Sequence, residues 1–219
     1  MKRLTLTFDN GPTPGVTDRV LDILAKHGVR TTFMVLGKKI ACDEGQALLA
    51  DIASAGHWIG NHTYTHSIAL GDKLDPGYAV EEIERTQALI GAYAHADRFF
   101  RPFGNSGRLG PHLLSEEAVA CLAQNAYTCL LWNSIPRDWI AGEDWVSNAI
   151  AQVREQDWTV TVLHDVAGAA VDRLDEFLTA MRDSGVSVEQ AIPESVMPIR
   201  RGRIVALPDA YVAERSGAH

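Results

Sequence analysis

The sequence predicts an α/β fold of the parallel, alternating kind, on two observations. Strand-like apolar runs recur with helical patterns between them, and each strand tends to end in polar or glycine-rich residues. Arg3–Phe8 reads as the first strand from the alternation of Leu4, Leu6 and Phe8. Thr17–His27 carries Val20, Leu21 and Leu24 on one helical face, and Gly28 supplies the stop. Thr31–Leu36 is β-branched and apolar, Gln46–Ala55 is helical in pattern, and Trp58–Gly60 is a short strand entering a histidine-rich turn. Tyr78–Tyr93 is the next helix, Phe99–Pro102 a strand closed by proline, Leu113–Gln124 a helix and Tyr127–Trp132 an apolar strand. A loop over Asn133–Gly142 precedes a helix at Asp144–Gln156, a buried strand at Trp158–Leu163, a helix at Asp172–Ser184 and a short strand at Val186–Val188. About seven strands in alternation with helices favour a parallel α/β barrel, although periodicity itself does not report closure.

The length of 219 residues fits a single domain with a substantial core. We expect the main domain over residues 1–192 and an extended tail over 193–219, packing on the barrel or on a partner subunit of a homo-oligomer. With 28 acidic against 20 basic side chains the formal net charge is −8, which argues against nucleic acid or an anionic membrane as the main partner. The longest apolar stretches fall far short of the roughly 18 residues that span a bilayer. Cys42, Cys121 and Cys129 lack C-x-x-C spacing, so neither a disulfide framework nor a zinc ribbon is indicated. Met1–Phe8 runs straight into a strand pattern without a leader-type segment, and a cytoplasmic location is expected.

Five polar clusters stand where strands end, and in parallel barrels that C-terminal edge displays the catalytic groups. Asp9 and Asn10 are held by Gly11-Pro12, a pattern that an Asx turn would also explain. His62 and His66, four apart, share one face of a helical turn and can present two imidazoles to one metal ion; two surface histidines would look the same. Arg101 stands beside Pro102-Phe103-Gly104, where it could orient a carboxylate while the turn exposes an N–H. Asp138-Trp139 could pair with that arginine and wall an apolar pocket. His164 follows an apolar strand, and an imidazole titrating near about 6.5 suits a general acid.

Together the five resemble the polysaccharide deacetylase family, carbohydrate esterase family 4. The sequence reads TFDNGP at 7–12, HTYTH at 62–66, RPFG at 101–104, DW at 138–139 and VLH at 162–164, a resemblance spanning residues 4 to about 190. It implies a distorted (β/α)7-type barrel, with a divalent metal, zinc first among the candidates, and hydrolysis of an amide, usually the N-acetyl group of an amino sugar or oligosaccharide. By the same resemblance Asp9 would be the general base acting on the attacking water, and His62 and His66 metal ligands. Arg101 would hold Asp9 and be braced by Asp138, the Phe103 N–H would help hold the oxyanion, and His164 would protonate the leaving amine. Phe103 and Trp139 would offer flat walls to a sugar ring or to a planar heterocycle.

The departure is Asn10, where the family carries an aspartate that ligates the metal. A neutral amide is a weaker donor to a dication. Three outcomes follow: a metal held weakly by His62, His66 and the Asn10 carbonyl; metal-free action of Asp9 on a reactive cyclic imide or ureide; or a catalytically silent carbohydrate-binding homologue.

Overall fold

The computed structural model describes residues 1–140, 142 and 144–213; the parts of the expected loop and tail at 141, 143 and 214–219 lie outside the described residues. The predicted α/β alternation is present. In chain order the main elements are β1 (Arg3–Asp9), α1 (Thr17–His27), β2 (Thr32–Val35), α2 (Asp43–Ser54), β3 (Trp58–Asn61), α3 (Tyr78–Ile90), β4 (Phe99–Phe100), β5 (Leu114–Ser115) and α4 (Glu116–Gln124). They continue as β6 (Thr128–Cys129), α5 (Trp145–Glu155), β7 (Trp158–His164), α6 (Leu174–Asp183), β8 (Ser187–Glu189), β9 (Ile199–Arg200), β10 (Arg203–Ile204) and β11 (Val212–Ala213).

The described strands form one mixed sheet in the order β10-β9-β6-β4-β3-β2-β1-β7, with β8 on β1 and a separate β11-β5 pair. Pairing is parallel from β6 through β7, and only β9 and β10 run antiparallel to their neighbours. The sheet curls. Past β6 the chain crosses from β4 to β7: Leu130 N–H donates to the Phe100 carbonyl, Ser134 N–H to that of Val160, and Val162 N–H back to Ser134. This crossing segment supplies the closure that periodicity could not report, and it is why the strand expected over Tyr127–Trp132 is regular only at Thr128–Cys129.

Alternation along β1 decides what faces where. Leu4, Leu6 and Phe8 pack with Val20 and Leu24 of α1 and with Leu174, Phe177 and Leu178 of α6. Each such buried side chain contributes about 1.5–3 kcal/mol. Thr5, Thr7 and Asp9 therefore point to the other side, the barrel interior. β1 and β7 pair in the register Thr5↔Val160, Thr7↔Val162 and Asp9↔His164. Parallel partners share a face, so Asp9 and His164 end neighbouring strands side by side.

Helix boundaries follow their caps. The helix expected from Leu113 starts later, because Leu114-Ser115 is extended and the Ser115 hydroxyl caps α4 by accepting from Ala118 N–H. Asp144 caps α5 in the same way through Ser147 N–H. Gly28 closes α1 in the left-handed conformation that glycine adopts without steric cost. Within the extension expected over 193–219, the described residues up to 213 add short strands: β9 pairs with β6 at Cys129↔Ile199, and β11 pairs with β5.

Gly11, at the end of β1, lies flush against Asp165, whose Oδ2 accepts from Thr17 Oγ1 at 2.7 Å. A Cβ at position 11 would stand 1.9 Å from that oxygen. Gly11→Ala is expected to destabilise the protein by about 1–3 kcal/mol in chemical denaturation, the ordinary cost of overpacking. A wild-type denaturation midpoint would show that Asp165 can swing aside.

Candidate active site

The C-terminal ends of β1, β3, β4 and β7 converge on a cleft of about 260 Å³ lined by Asp9, Asn10, His62, His66, Phe103, Trp132, Trp139 and His164. The sequence-predicted residues at strand ends thus come together, with Arg101 and Asp138 behind them.

Arg101 is 0% exposed, and every partner of its guanidinium is internal. Nη1 donates to Asp9 Oδ1 and to Thr7 Oγ1, each at 2.7 Å, while Nε and Nη2 reach the carbonyls of Leu130 and Leu131. A charge so far from water needs this degree of satisfaction. The expected brace from Asp138 to Arg101 is not made. Asp138 belongs to His164 instead: Oδ1 is 2.8 Å from Nδ1, and Oδ2 accepts the N–H groups of His164 and Ala170. The physical reason is local, since a loop carboxylate next to the end of β7 finds two free backbone donors there, and Arg101 is already engaged by Asp9, Thr7 and two carbonyls.

His164 is consequently a tuned imidazole. Burial alone would lower its pKa, but the hydrogen bond and charge of Asp138, with Asp9 and Asp165 nearby, leave it above the ordinary value. With Nδ1 committed to Asp138, Nε2 is the nitrogen free for the cleft. Trp139 packs edge-on against the ring at 4.8 Å.

The two histidines of the second cluster do meet, but not on a helical turn. His62 to His66 is a loop in which Thr63 and His66 take left-handed φ values of 69° and 51°. Their rings lie 4.7 Å apart, and Phe103 packs on His66 at 3.9 Å. His62 Nδ1 donates to the Arg101 carbonyl at 2.8 Å, which turns Nε2 toward Asp9 Oδ2, 3.5 Å away. Burial lowers the pKa of both rings, that of His66 to about 2, and so favours their neutral forms.

Sequence reasoning missed part of the wall. Trp132 and the Gly104–Gly107 loop line the cleft as well. A Cβ on Gly104 would stand 2.4 Å from the Trp132 indole, so the loop backbone rests directly on that ring. Trp132 carries the same signal as His164, a large side chain at the end of an apolar run, but without a titratable group it drew no notice.

The sequence profile of the polysaccharide deacetylase family matches residues 1–108. A chitooligosaccharide deacetylase of Sinorhizobium fredii (strain NBRC 101917 / NGR234) is 32% identical over 185 residues, covering 83% of this chain and 80% of that protein. The chain belongs to the polysaccharide deacetylase family. Another chitooligosaccharide deacetylase, from Rhizobium leguminosarum bv. phaseoli, is 33% identical over 165 residues, 74% of this deacetylase and 67% of its own length. Among solved structures, a family 4 acetyl xylan esterase from Clostridium thermocellum in complex with a cobalt ion is 28% identical, with TM-score 0.70 and coverage of 86% and 87%. As a family member the protein is a hydrolase of carbon–nitrogen bonds other than peptide bonds.

Among the described residues of this deacetylase, no three His, Cys, Asp or Glu side chains form a group that could hold a metal. The amide at position 10 breaks that set, yet the donors present fit a divalent cation. Asn10 Oδ1 lies buried in the cleft wall with no hydrogen-bond partner among the described residues. Beside it stand two neutral imidazoles, one of them oriented through its second nitrogen as in histidine–metal sites.

Because Asp138 raises the His164 pKa, the stabilisation it gives is complete below the unfolded pKa and is lost as pH rises through the folded one. In an NMR titration His164 is expected to protonate above about 6.5, and Asp138→Asn is expected to shift that midpoint downward. An unmoved midpoint would remove Asp138 as the cause.

Proposed function

We propose that the protein is an N-deacetylase of an acetylated amino sugar or oligosaccharide, with Asp9 as general base and His164 as general acid. One observation carries the reading: β1–β7 register sets a carboxylate fixed by a buried arginine beside an imidazole fixed by a buried aspartate, both at one cleft. Two acid–base groups with separate orienting partners are what hydrolysis of an amide requires. The names of the chitooligosaccharide deacetylases similar to this chain point to the same substrate class.

An acetamido group entering the cleft meets Phe103, Trp132 and Trp139, whose flat faces suit a sugar ring. Asp9 takes a proton from water as its oxygen bonds to the acyl carbon. The developing oxyanion is directed to the backbone N–H of Phe103, a dipole needing no reorganisation. His164 then delivers its proton to the nitrogen as the C–N bond breaks, leaving acetate and a free amine. His62, His66 and the Asn10 carbonyl oxygen would hold a divalent cation, zinc being suited to two imidazoles, and bound there it would supply Lewis acidity.

The test is acetate release from an N-acetylated chitooligosaccharide, with and without added zinc or cobalt. Asp9→Asn or His164→Ala is expected to lower kcat by about 10²–10⁴ with the fold intact. Full activity in either variant would overturn the role assigned to that residue. Asn10→Asp is expected to tighten zinc binding on the order of a hundredfold or more, since it adds a unit charge beside a dication; calorimetric titration reads this directly, and an unchanged affinity would place position 10 outside the metal's reach. Hydrolysis of cyclic imides without acetate release would favour the metal-free alternative, and binding without turnover the silent one.

A further inference from the structure

The inward stripe of α3 consists of Ala79, Glu82, Ile83, Thr86 and Ile90. Four of these side chains suit a core, and one is a carboxylate only 5% exposed. Among the described residues no arginine, lysine or histidine pairs with it. Its partners are all in the loop joining the two cleft histidines. Oε2 accepts the N–H groups of Tyr64 at 3.0 Å and Thr65 at 2.9 Å, and Oε1 accepts the Thr65 hydroxyl at 2.8 Å.

The loop has reason to need such a holder. Thr63 and His66 both occupy the left-handed region, and the β-branched Thr63 leaves it unless the surroundings over-determine it. The carbonyl side of the loop is strapped by the turn after β2: Gly37 N–H donates to Thr63, Lys38 N–H to Tyr64 and Lys38 Nζ to Thr65. Asn61 ties its start to the helix, donating to the Ile83 carbonyl and accepting Thr63 N–H. The Tyr64 and Thr65 amides are left to Glu82. A charged acceptor makes such bonds roughly twice as strong as a neutral one.

We propose that Glu82 is a positioning residue of the active site: by holding the Tyr64 and Thr65 amides it sets the His66 imidazole against Phe103 and beside His62, and so fixes the geometry of the two nitrogen donors. Its consequence for metal rests on the reading of His62 and His66 as ligands; its consequence for the loop does not.

Two readouts separate these. The first is the ring-current shift of the His66 ring protons, which lie over Phe103 in the full chain without metal. Glu82→Ala is expected to lose most of that upfield shift. Glu82→Gln is expected to restore it, because the amide oxygen can accept both N–H groups while its nitrogen donates to Thr65 Oγ, which then turns its proton to Ser67 Oγ, 2.7 Å away. The second readout is Co²⁺ affinity from the visible absorption of the bound ion, expected to weaken at least tenfold in Glu82→Ala and to stay within threefold in Glu82→Gln.

A Glu82→Ala protein that melts lower but keeps the His66 shift and the wild-type Co²⁺ affinity would reduce Glu82 to a helix anchor and overturn the proposal. Should Glu82→Ala fail to fold, Glu82→Asp keeps the charge but withdraws the carboxylate by one methylene and is read in the same way. If the wild-type protein binds no Co²⁺ and releases no acetate, the ligand reading fails, while the ring shift alone still decides whether Glu82 places His66.

Discussion

The buried ion pair between Arg101 and Asp9 is the constraint on which the rest of the site depends. It joins the end of β4 to the end of β1 across the barrel interior, and its other donors fasten the chain segment that crosses toward β7. Arg101 also lends its backbone carbonyl to His62, so one residue orients both the carboxylate and an imidazole. Removing one partner of such a pair strands the other charge, typically at about 3–5 kcal/mol. The surrounding threonines belong to the same solution. Thr7 accepts from the guanidinium and passes its own proton to the Thr161 carbonyl, so its hydroxyl links β4 to β7.

Around this pair the site divides into two halves held by different means. The acid half is electrostatic: Asp138 turns both carboxylate oxygens to His164 and to the backbone N–H groups of His164 and Ala170. The imidazole half is conformational, built from a loop whose left-handed residues are kept in place by hydrogen bonds from α3 and from the turn after β2. Asn10 lines the same cleft, in the left-handed region at φ 74°, with its side-chain oxygen buried and without a hydrogen-bond partner among the described residues.

Much of this was legible in the sequence because strand ends leave a strong signal. The alternation Leu4, Leu6, Phe8 fixes which face of β1 is covered by helices, and that alone puts Asp9 inside. Arg101, His62, His66 and His164 stand out as polar residues closing apolar runs. Partnership was less legible. Asp138 and Arg101 looked like natural ion-pair partners, but sequence carries no record of which donors are already engaged, and Arg101 is held by Asp9, Thr7 and two carbonyls. The helical turn expected at His62–His66 failed because spacing of four is satisfied equally by a loop with two left-handed residues. Glu82 left no mark, since a glutamate in a helix is ordinary until its neighbours show that it faces inward.

The β1–β7 register has an implication for how such a protein can change over time. Asp9 and His164 are neighbours because seven consecutive residues pair without interruption from Arg3↔Trp158 to Asp9↔His164. Side chains alternate with period two, so inserting or deleting one residue within either strand would carry its terminal group to the helix-covered face. Substitutions at the cleft can alter chemistry one residue at a time, as position 10 illustrates, but the spacing of the two strand-end groups is quantised by backbone hydrogen bonding. Loops around the cleft are free to vary in length; these two strands are not.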